Sequence, residues 1–213
     1  GPMPVLFDPR VAGSLVGHLT SGMSGPAIAR GRSFLKMRAG ERLFPADISI
    51  VEDPLRPRGL RSRPFDGEGL PTRVGRLVDQ GVVGDWLCDS ASARQLGRAP
   101  TGHASGGGGV STGNLVLLPG GVSRDALMAD VADGVLVTEL IGQGVDALTG
   151  DYSRGASGFR IRNGQLAEAV SGFTIAGNLI AIFADLRAAD DLDTRGGVHV
   201  PTLRTDSLTV AGA

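Results

Sequence analysis

The chain is poor in several residue types that often carry chemistry. It has one cysteine, Cys88, and three histidines among 213 residues. A single cysteine cannot form an internal disulfide, so we expect a protein of the reducing cytoplasm. No apolar run approaches the roughly 18 residues that a membrane-spanning helix needs. A formal net charge of −1 argues against general nucleic-acid binding. The sequence therefore predicts a protein that has neither a membrane nor a nucleic acid as its partner.

Glycine is abundant instead, with 34 residues. Because glycine is costly inside helices and strands, this number indicates many tight turns between short strands. The 41% of hydrophobic and 20% of charged residues are typical of a globular protein. Strand patterns dominate and a few helical patterns are interleaved with them. The predicted fold class is α+β: a twisted antiparallel β-sheet or a partly closed β-barrel with flanking helices.

Capping signals and periodicity predict several local elements. Asp8-Pro9 is a strong helix start, and Val11, Leu15 and Leu19 then fall on one helical face. We expect three further helix N-caps and one hairpin turn, at Ser90, Ser123, Asn178 and residues 79–81.

Residues 149–166 form the most distinctive stretch, and they hold the only tyrosine, Tyr152. Phe159 and Ile161 alternate with arginines, as in a strand, and Asn163-Gly164 favours a type I′ turn. The pattern predicts a polar loop that leads into a rigid hairpin. Such a loop is a suitable surface for recognition.

No catalytic constellation is complete in this sequence. The run Gly106–Gly109 lacks the Lys-Ser/Thr that follows a phosphate-binding loop. His18 lies beside the apolar helical stripe, where a partly buried, hydrogen-bonded histidine is expected. His103 lies in a glycine-rich loop, and a structural contact and a contact with substrate or partner both remain open. Asp151 and Arg154 could form an ion pair that only fixes their own turn.

A basic segment also leaves two interpretations open. Residues 54–65 carry several arginines and prolines. The segment could be a solvated connection or a contact for an acidic partner surface.

Several motifs resemble those of the TldD/PmbA family, in the PmbA (TldE) branch. The stretch Gly150–Phe159 followed by Asn163-Gly-Gln is similar to the signature of that branch. Other motifs agree in order along the chain: Phe65–Gly69, Ser92–Gly97, Thr101–His103, Val137–Gly144 and Thr174–Leu179. The resemblance implies that residues 4–213 form the C-terminal domain of such a protein, without the family's N-terminal domain. We expect residues 1–3 to be a cloning scar.

The resemblance also implies a role without zinc. TldD-type chains carry His-Glu-x-x-x-His on a helix and a cysteine near the C-terminus as a further ligand. Here the equivalent helix has Gly13 and Ser14 where the first histidine and the glutamate would lie, and only His18 remains. Zinc needs three or four protein ligands. We therefore expect no metal in this chain and zinc in a TldD-type partner subunit.

The family function implied is metalloproteolysis of unfolded peptides by paired subunits. The residues expected to contact substrate or partner are His103, Asn114, Asp151, Tyr152, Ser153 and Arg154, none of them catalytic. Two alternatives stay open. The chain could be an independently active metallopeptidase, or an interaction module of the gyrase-modulator type without a protease role.

Overall fold

The structure is a computed structural model that describes residues 1–142 and 144–212. The strands are β1 Pro2–Phe7, β2 Ile50–Asp53, β3 Gly75–Asp79, β4 Val82–Val83, β5 Asn114–Leu117, β6 Asp133–Ile141, β7 Asp151–Arg162, β8 Gln165–Asn178, β9 Arg187–Ala188, β10 Val198–His199 and β11 Leu203–Ala211. The helices are α1 Pro9–Gly22, α2 Gly25–Ala29, α3 Ser90–Leu96, α4 Arg124–Met128 and α5 Leu179–Ala184. No helix of the described residues is long and apolar enough to cross a membrane.

Five strands close into a barrel. They run in the order β1-β6-β7-β8-β11, and β11 pairs back onto β1. The β1–β6 pair is parallel and the other ring pairs are antiparallel. β9 continues the sheet beside the start of β11. The α+β prediction is confirmed, and the ring closes completely because β11 reaches both β8 and β1.

A second, five-stranded sheet has the order β10-β5-β2-β3-β4. Its β3–β4 hairpin turns at the predicted place, where Gln80 and Gly81 both have positive φ. Parallel pairing with β5 places β10, and with it the end of the 193–198 segment, at one edge of this sheet.

Alternation along the barrel strands creates two cores. Val5 and Phe7 of β1 belong to the main core, which α1, α5 and the second sheet share. Leu6, between them, belongs to a smaller core together with Leu127 and Met128 of α4. Successive side chains of a strand point to opposite faces, so one strand can serve both cores.

Three predicted helix caps are confirmed. The side chains of Asp8, Ser123 and Asn178 accept hydrogen bonds from N–H groups in the first turns of α1, α4 and α5. The Ser90 cap is wrong, because Asp89 precedes it and accepts from the Ser92 N–H at 2.7 Å.

The stretch 149–166 differs from its prediction. It is strand from Asp151 onward, so the expected recognition loop belongs to the barrel wall. The turn itself is as predicted, with Asn163 and Gly164 both at positive φ. Pro2 and Met3, expected to be a scar outside the fold, lie in β1.

Candidate functional site

The exposed side of α1 borders two wide grooves. Pro9 at its first position and the Asp8 cap fix where the helix begins. Leu15 and Leu19 turn the apolar stripe inward. The outward side carries small residues such as Gly13 and Gly17, and a Cβ at Gly17 would meet nothing within 4 Å. A ligand in these grooves can therefore approach the backbone of α1 closely.

One of these grooves, which we call the arginine groove, has a volume of about 820 Å³. It lies between α1, the ends of β6 and β7, and the 193–198 segment. Its charged lining consists of Arg10, Arg61, Arg154 and Arg195 with Glu139 and Asp193. Arg10 pairs with Asp8, and Arg195 with Asp193, each at 2.7 Å. Neither Arg61 nor Arg154 has a carboxylate partner within the described residues, so the groove keeps an unbalanced positive charge.

His18 lies on the inner flank of α1. Its ring packs edge-on against Tyr152 with centroids 6.0 Å apart, and its Nε2 is buried without a hydrogen-bond partner. Burial, followed by the nearby Arg154 charge, lowers the pKa of His18 below its usual value. The imidazole is therefore held neutral. The expectation of a partly buried histidine is confirmed, but the hydrogen bond expected of it is not made by Nε2 within the described residues.

Zinc, which the resemblance associates with this helix in TldD-type chains, does not fit the residues around His18. Gly13 and Ser14 offer neither an imidazole nor a carboxylate at the matching positions. In residues 1–142 and 144–212, no group of three or more His, Cys, Asp or Glu side chains is placed to hold a metal ion. One imidazole cannot replace the three or four ligands of a zinc site.

Tyr152 is a core residue, which corrects its expected role in recognition. Its side chain is 1% exposed, and its hydroxyl has no hydrogen-bond partner in the described structure. Burial raises the pKa of Tyr152 to about 12. The ring packs in the main core and cannot contact a peptide. Ser153, the next residue, is exposed, and its N–H donates to the Gly144 carbonyl at 2.7 Å.

Asp151 and Arg154 do not form the ion pair considered above. Asp151 accepts from the Asn178 amide at 3.0 Å and from the Thr149 hydroxyl at 2.8 Å, and these bonds lower its pKa. Arg154 donates through Nε to the Ile141 carbonyl at 3.3 Å. Asp151 thus fixes the start of β7, while Arg154 is left to line the arginine groove.

His103 makes an internal contact, and its expected contact with substrate or partner stays a prediction. Its Nε2 lies 2.7 Å from the carboxylate of buried Glu52, and its Nδ1 lies 2.8 Å from the Thr101 hydroxyl. With both ring nitrogens occupied, His103 ties the glycine-rich loop to β2. Of the two interpretations left open, the structural contact is present, and the contact with substrate or partner is not excluded by it.

Asn114 is 1% exposed, and internal hydrogen bonds hold its side chain. Its amide nitrogen donates to the Asp53 carbonyl and to the Ser62 hydroxyl, both at 2.9 Å. Its amide oxygen accepts from the Arg61 N–H at 3.0 Å. Asn114 therefore positions the segment that carries Arg61, and it also lines a smaller cavity of about 300 Å³ beside Arg56 and His199.

Sequence reasoning missed Asp66 as an organising residue. Its carboxylate accepts from the N–H groups of Glu68, Leu70 and Ala104. Burial acts to raise the pKa of Asp66, but these hydrogen bonds outweigh it and leave the pKa below its usual value. The motif Phe65–Gly69 contains this residue, and that motif was the available signal.

The basic segment 54–65 was recognised, but its role was not. It is folded against the second sheet, and its arginines Arg61 and Arg63 line grooves beside α1. Neither the solvated connection nor an acidic partner surface describes this placement fully. Sequence spacing does not reveal that a loop from residues 54–65 and the helix from residue 9 meet.

The closed barrel, the second sheet and the grooves beside α1 belong to one domain. A family model described as "PmbA/TldA metallopeptidase C-terminal domain" matches residues 1–212. The chain belongs to this family.

Curated relatives include "Metalloprotease PmbA" of Escherichia coli O157:H7, 38% identical over 98% of this chain and 46% of the relative. A "Metalloprotease PmbA homolog" of Haemophilus influenzae is 37% identical over 99% of this chain and 46% of its own length. The chain thus spans about half the length of the curated relatives it matches.

Among solved structures, a candidate modulator of DNA gyrase from Thermotoga maritima superposes with a TM-score of 0.90. It is 31% identical and covers 99% of this chain and 50% of its own. TldE from Thermococcus kodakarensis has a TM-score of 0.83 at 24% identity, over 99% of this chain and 50% of its own, and supports the fold.

Proposed function

We propose that this chain is the non-zinc-bearing subunit of a cytoplasmic TldD/PmbA-type metalloprotease. In this role it assembles with a TldD-type subunit and shapes the cleft for an unfolded peptide. The observation that carries the proposal is the exposed side of α1. It borders a groove of about 820 Å³, yet positions 13, 14 and 18 offer only glycine, serine and a partner-less histidine.

The chemistry of peptide hydrolysis explains why this combination favours a supporting subunit. Zinc hydrolysis needs a metal held by three protein ligands and a base that takes the proton of the attacking water. Ser14 cannot serve as that base, and the neutral, half-buried His18 offers a single ligand atom. The groove itself remains suited to holding an extended chain, because arginines and the exposed backbone of α1 line it.

The direct test is reconstitution with a TldD-type protein from the same organism. Each chain is assayed alone and in the mixture against an unfolded peptide, with and without a chelator. We expect the two chains to co-purify and the mixture to cleave, and we expect this chain alone to be inactive. Cleavage by this chain alone would overturn the proposal, as would failure of the two chains to associate.

Two matched substitutions assign the active subunit. His18→Gln in this chain should leave the activity of the mixture within about twofold. Replacing the motif glutamate of the TldD-type subunit by glutamine should abolish it. The reverse pattern would mean that the chemistry belongs to this chain. Circular dichroism confirms that each variant is folded.

A further inference from the structure

A second groove beside α1 has an unusual lining. This hydroxyl groove has a volume of about 690 Å³ and lies where α1 passes into α2, facing the segments 61–63 and 110–112. Six hydroxyl side chains line it: Thr20, Ser21, Ser24, Ser62, Ser111 and Thr112. Its volume falls within the range of roughly 300–1,000 Å³ that ligand sites occupy.

Among the described residues, two arginines are the only charged side chains that line the hydroxyl groove. They are Arg61 and Arg63, and no Asp or Glu is present in the lining. Arg63 is held in place by Ser111, to whose hydroxyl Nη1 donates at 2.6 Å and to whose carbonyl Nη2 donates. Its Nε is buried and has no partner within the described structure. A guanidinium fixed in this way beside a lining without carboxylates is suited to an anion in the groove.

Arg61 connects the two grooves. Its side chain lines both the hydroxyl groove and the arginine groove. Its backbone is fixed by Asn114, which is itself buried. The two grooves thus follow the same side of α1, and an extended segment lying along that helix would pass Arg61.

We propose that the hydroxyl groove binds a carboxylate of an extended peptide, supplied by the peptide's C-terminus or by an Asp or Glu side chain. Arginine and hydroxyl donors suit a carboxylate, which accepts several hydrogen bonds at once. Binding of single-stranded nucleic acid normally uses aromatic stacking, and the lining has no aromatic residue. The peptide as ligand rests on the proposed function, which the inference deepens by naming the preferred substrate class.

The test uses one neutral, fluorescently labelled peptide sequence in three forms. The first has a C-terminal amide, the second a free C-terminal carboxylate, and the third an amide with one internal glutamate. Fluorescence anisotropy with the 213-residue chain should show at least one carboxylate form binding about tenfold or more tightly than the amide. The second and third forms distinguish the two sources of the carboxylate. Equal binding of all three forms, or tighter binding of a single-stranded oligonucleotide, would overturn the proposal.

Substitutions then locate the preference. Arg63→Gln and Arg61→Gln should each remove most of the difference between the carboxylate and amide forms. Arg73→Gln should not, because Arg73 is exposed and lies outside the groove lining. Arg61 is also exposed, so its substitution tests the proposal even if Arg63→Gln disturbs the loop at Ser111. A preference unchanged in both groove variants would overturn the assignment.

The outcome is separable from that of the proposed function. Association with a TldD-type subunit does not require the carboxylate preference. Absence of the preference in a chain that still assembles and supports cleavage would overturn only this inference. A clear preference in a chain that fails to assemble would overturn only the subunit role.

Discussion

Tyr152→Phe removes a buried hydroxyl while leaving its ring in the main core. That hydroxyl has no partner in the described structure, and its side chain is 1% exposed. An unpaired buried polar group costs about 1–3 kcal/mol. We therefore expect Tyr152→Phe to raise the free energy of unfolding by about 1 kcal/mol, or to leave it unchanged. For a chain of this length a gain of 1 kcal/mol corresponds to about 2–4 °C in Tm.

Urea unfolding followed by the fluorescence of Trp86, the only tryptophan, measures this change. Tyr152→Ala is the control, because it also removes the ring and should cost about 3–5 kcal/mol. A loss of more than about 1 kcal/mol in Tyr152→Phe would refute the reasoning. It would mean that the hydroxyl has a partner that matters.

The ionisation of the same side chain gives a second readout. The only tyrosine should ionise near pH 12 in the folded chain, compared with 10.0 for an unburied phenol. Because burial raises the folded-state pKa, the contribution of neutral Tyr152 to the free energy of unfolding is complete below pH 10.0. It is lost as the pH rises towards about 12. Near-ultraviolet titration follows the phenolate directly. Ionisation close to pH 10.0 without unfolding would contradict the buried placement.

Three further predictions concern packing, pH and the loop support. Gly158→Ala should destabilise by about 1–3 kcal/mol or more in denaturant unfolding, because the new Cβ would lie 1.9 Å from the Leu136 carbonyl oxygen. Gly17→Ala in α1, with open space around it, should stabilise by about 0.5–1 kcal/mol. A Gly158→Ala variant that is more stable than Gly17→Ala would contradict the register of the strand that holds Gly158. His18 has a lowered pKa, so stability should fall as pH drops below 6.5, and the fall should be shallower in His18→Gln; equal slopes would contradict this. Asn114→Ala should cost about 1–3 kcal/mol and speed tryptic cleavage in the segment 54–65, and unchanged cleavage would show that the amide does not hold that segment.

Local elements were predictable where one residue decides them. Asp8 before Pro9 determines the start of α1, and positive φ at Asn163 and Gly164 determines the β7–β8 turn. The start of β7 was not predictable, because its polar first residues belong to a barrel wall formed by strands distant in sequence. β1 was missed because residues 1–3, expected to be a scar, were left out of the fold prediction. The structure accommodates Pro4 where the β1–β11 register shifts between Met3 and Val5.

The site was predictable only in part, because contacts between segments distant in sequence decide it, as they do for the start of β7. His103 and Asn114 are polar residues in glycine-rich surroundings, which suits a binding loop equally well. Their partners, Glu52 and the 53–62 segment, are more than 50 residues away in sequence. Long-range contacts of this kind decide whether a polar side chain faces a ligand or supports a loop. Of the expected contact residues, Arg154 lines the arginine groove and Asn114 lines a smaller cavity.

The zinc content of the purified assembly tests the central claim most directly. The isolated chain and its complex with a TldD-type subunit are dialysed, and zinc is measured per chain, for the unchanged sequence and for His18→Gln. We predict zinc in the complex at one ion per TldD-type subunit, none in the isolated chain, and no change on His18→Gln. Stoichiometric zinc in the isolated chain that disappears in His18→Gln would contradict the account.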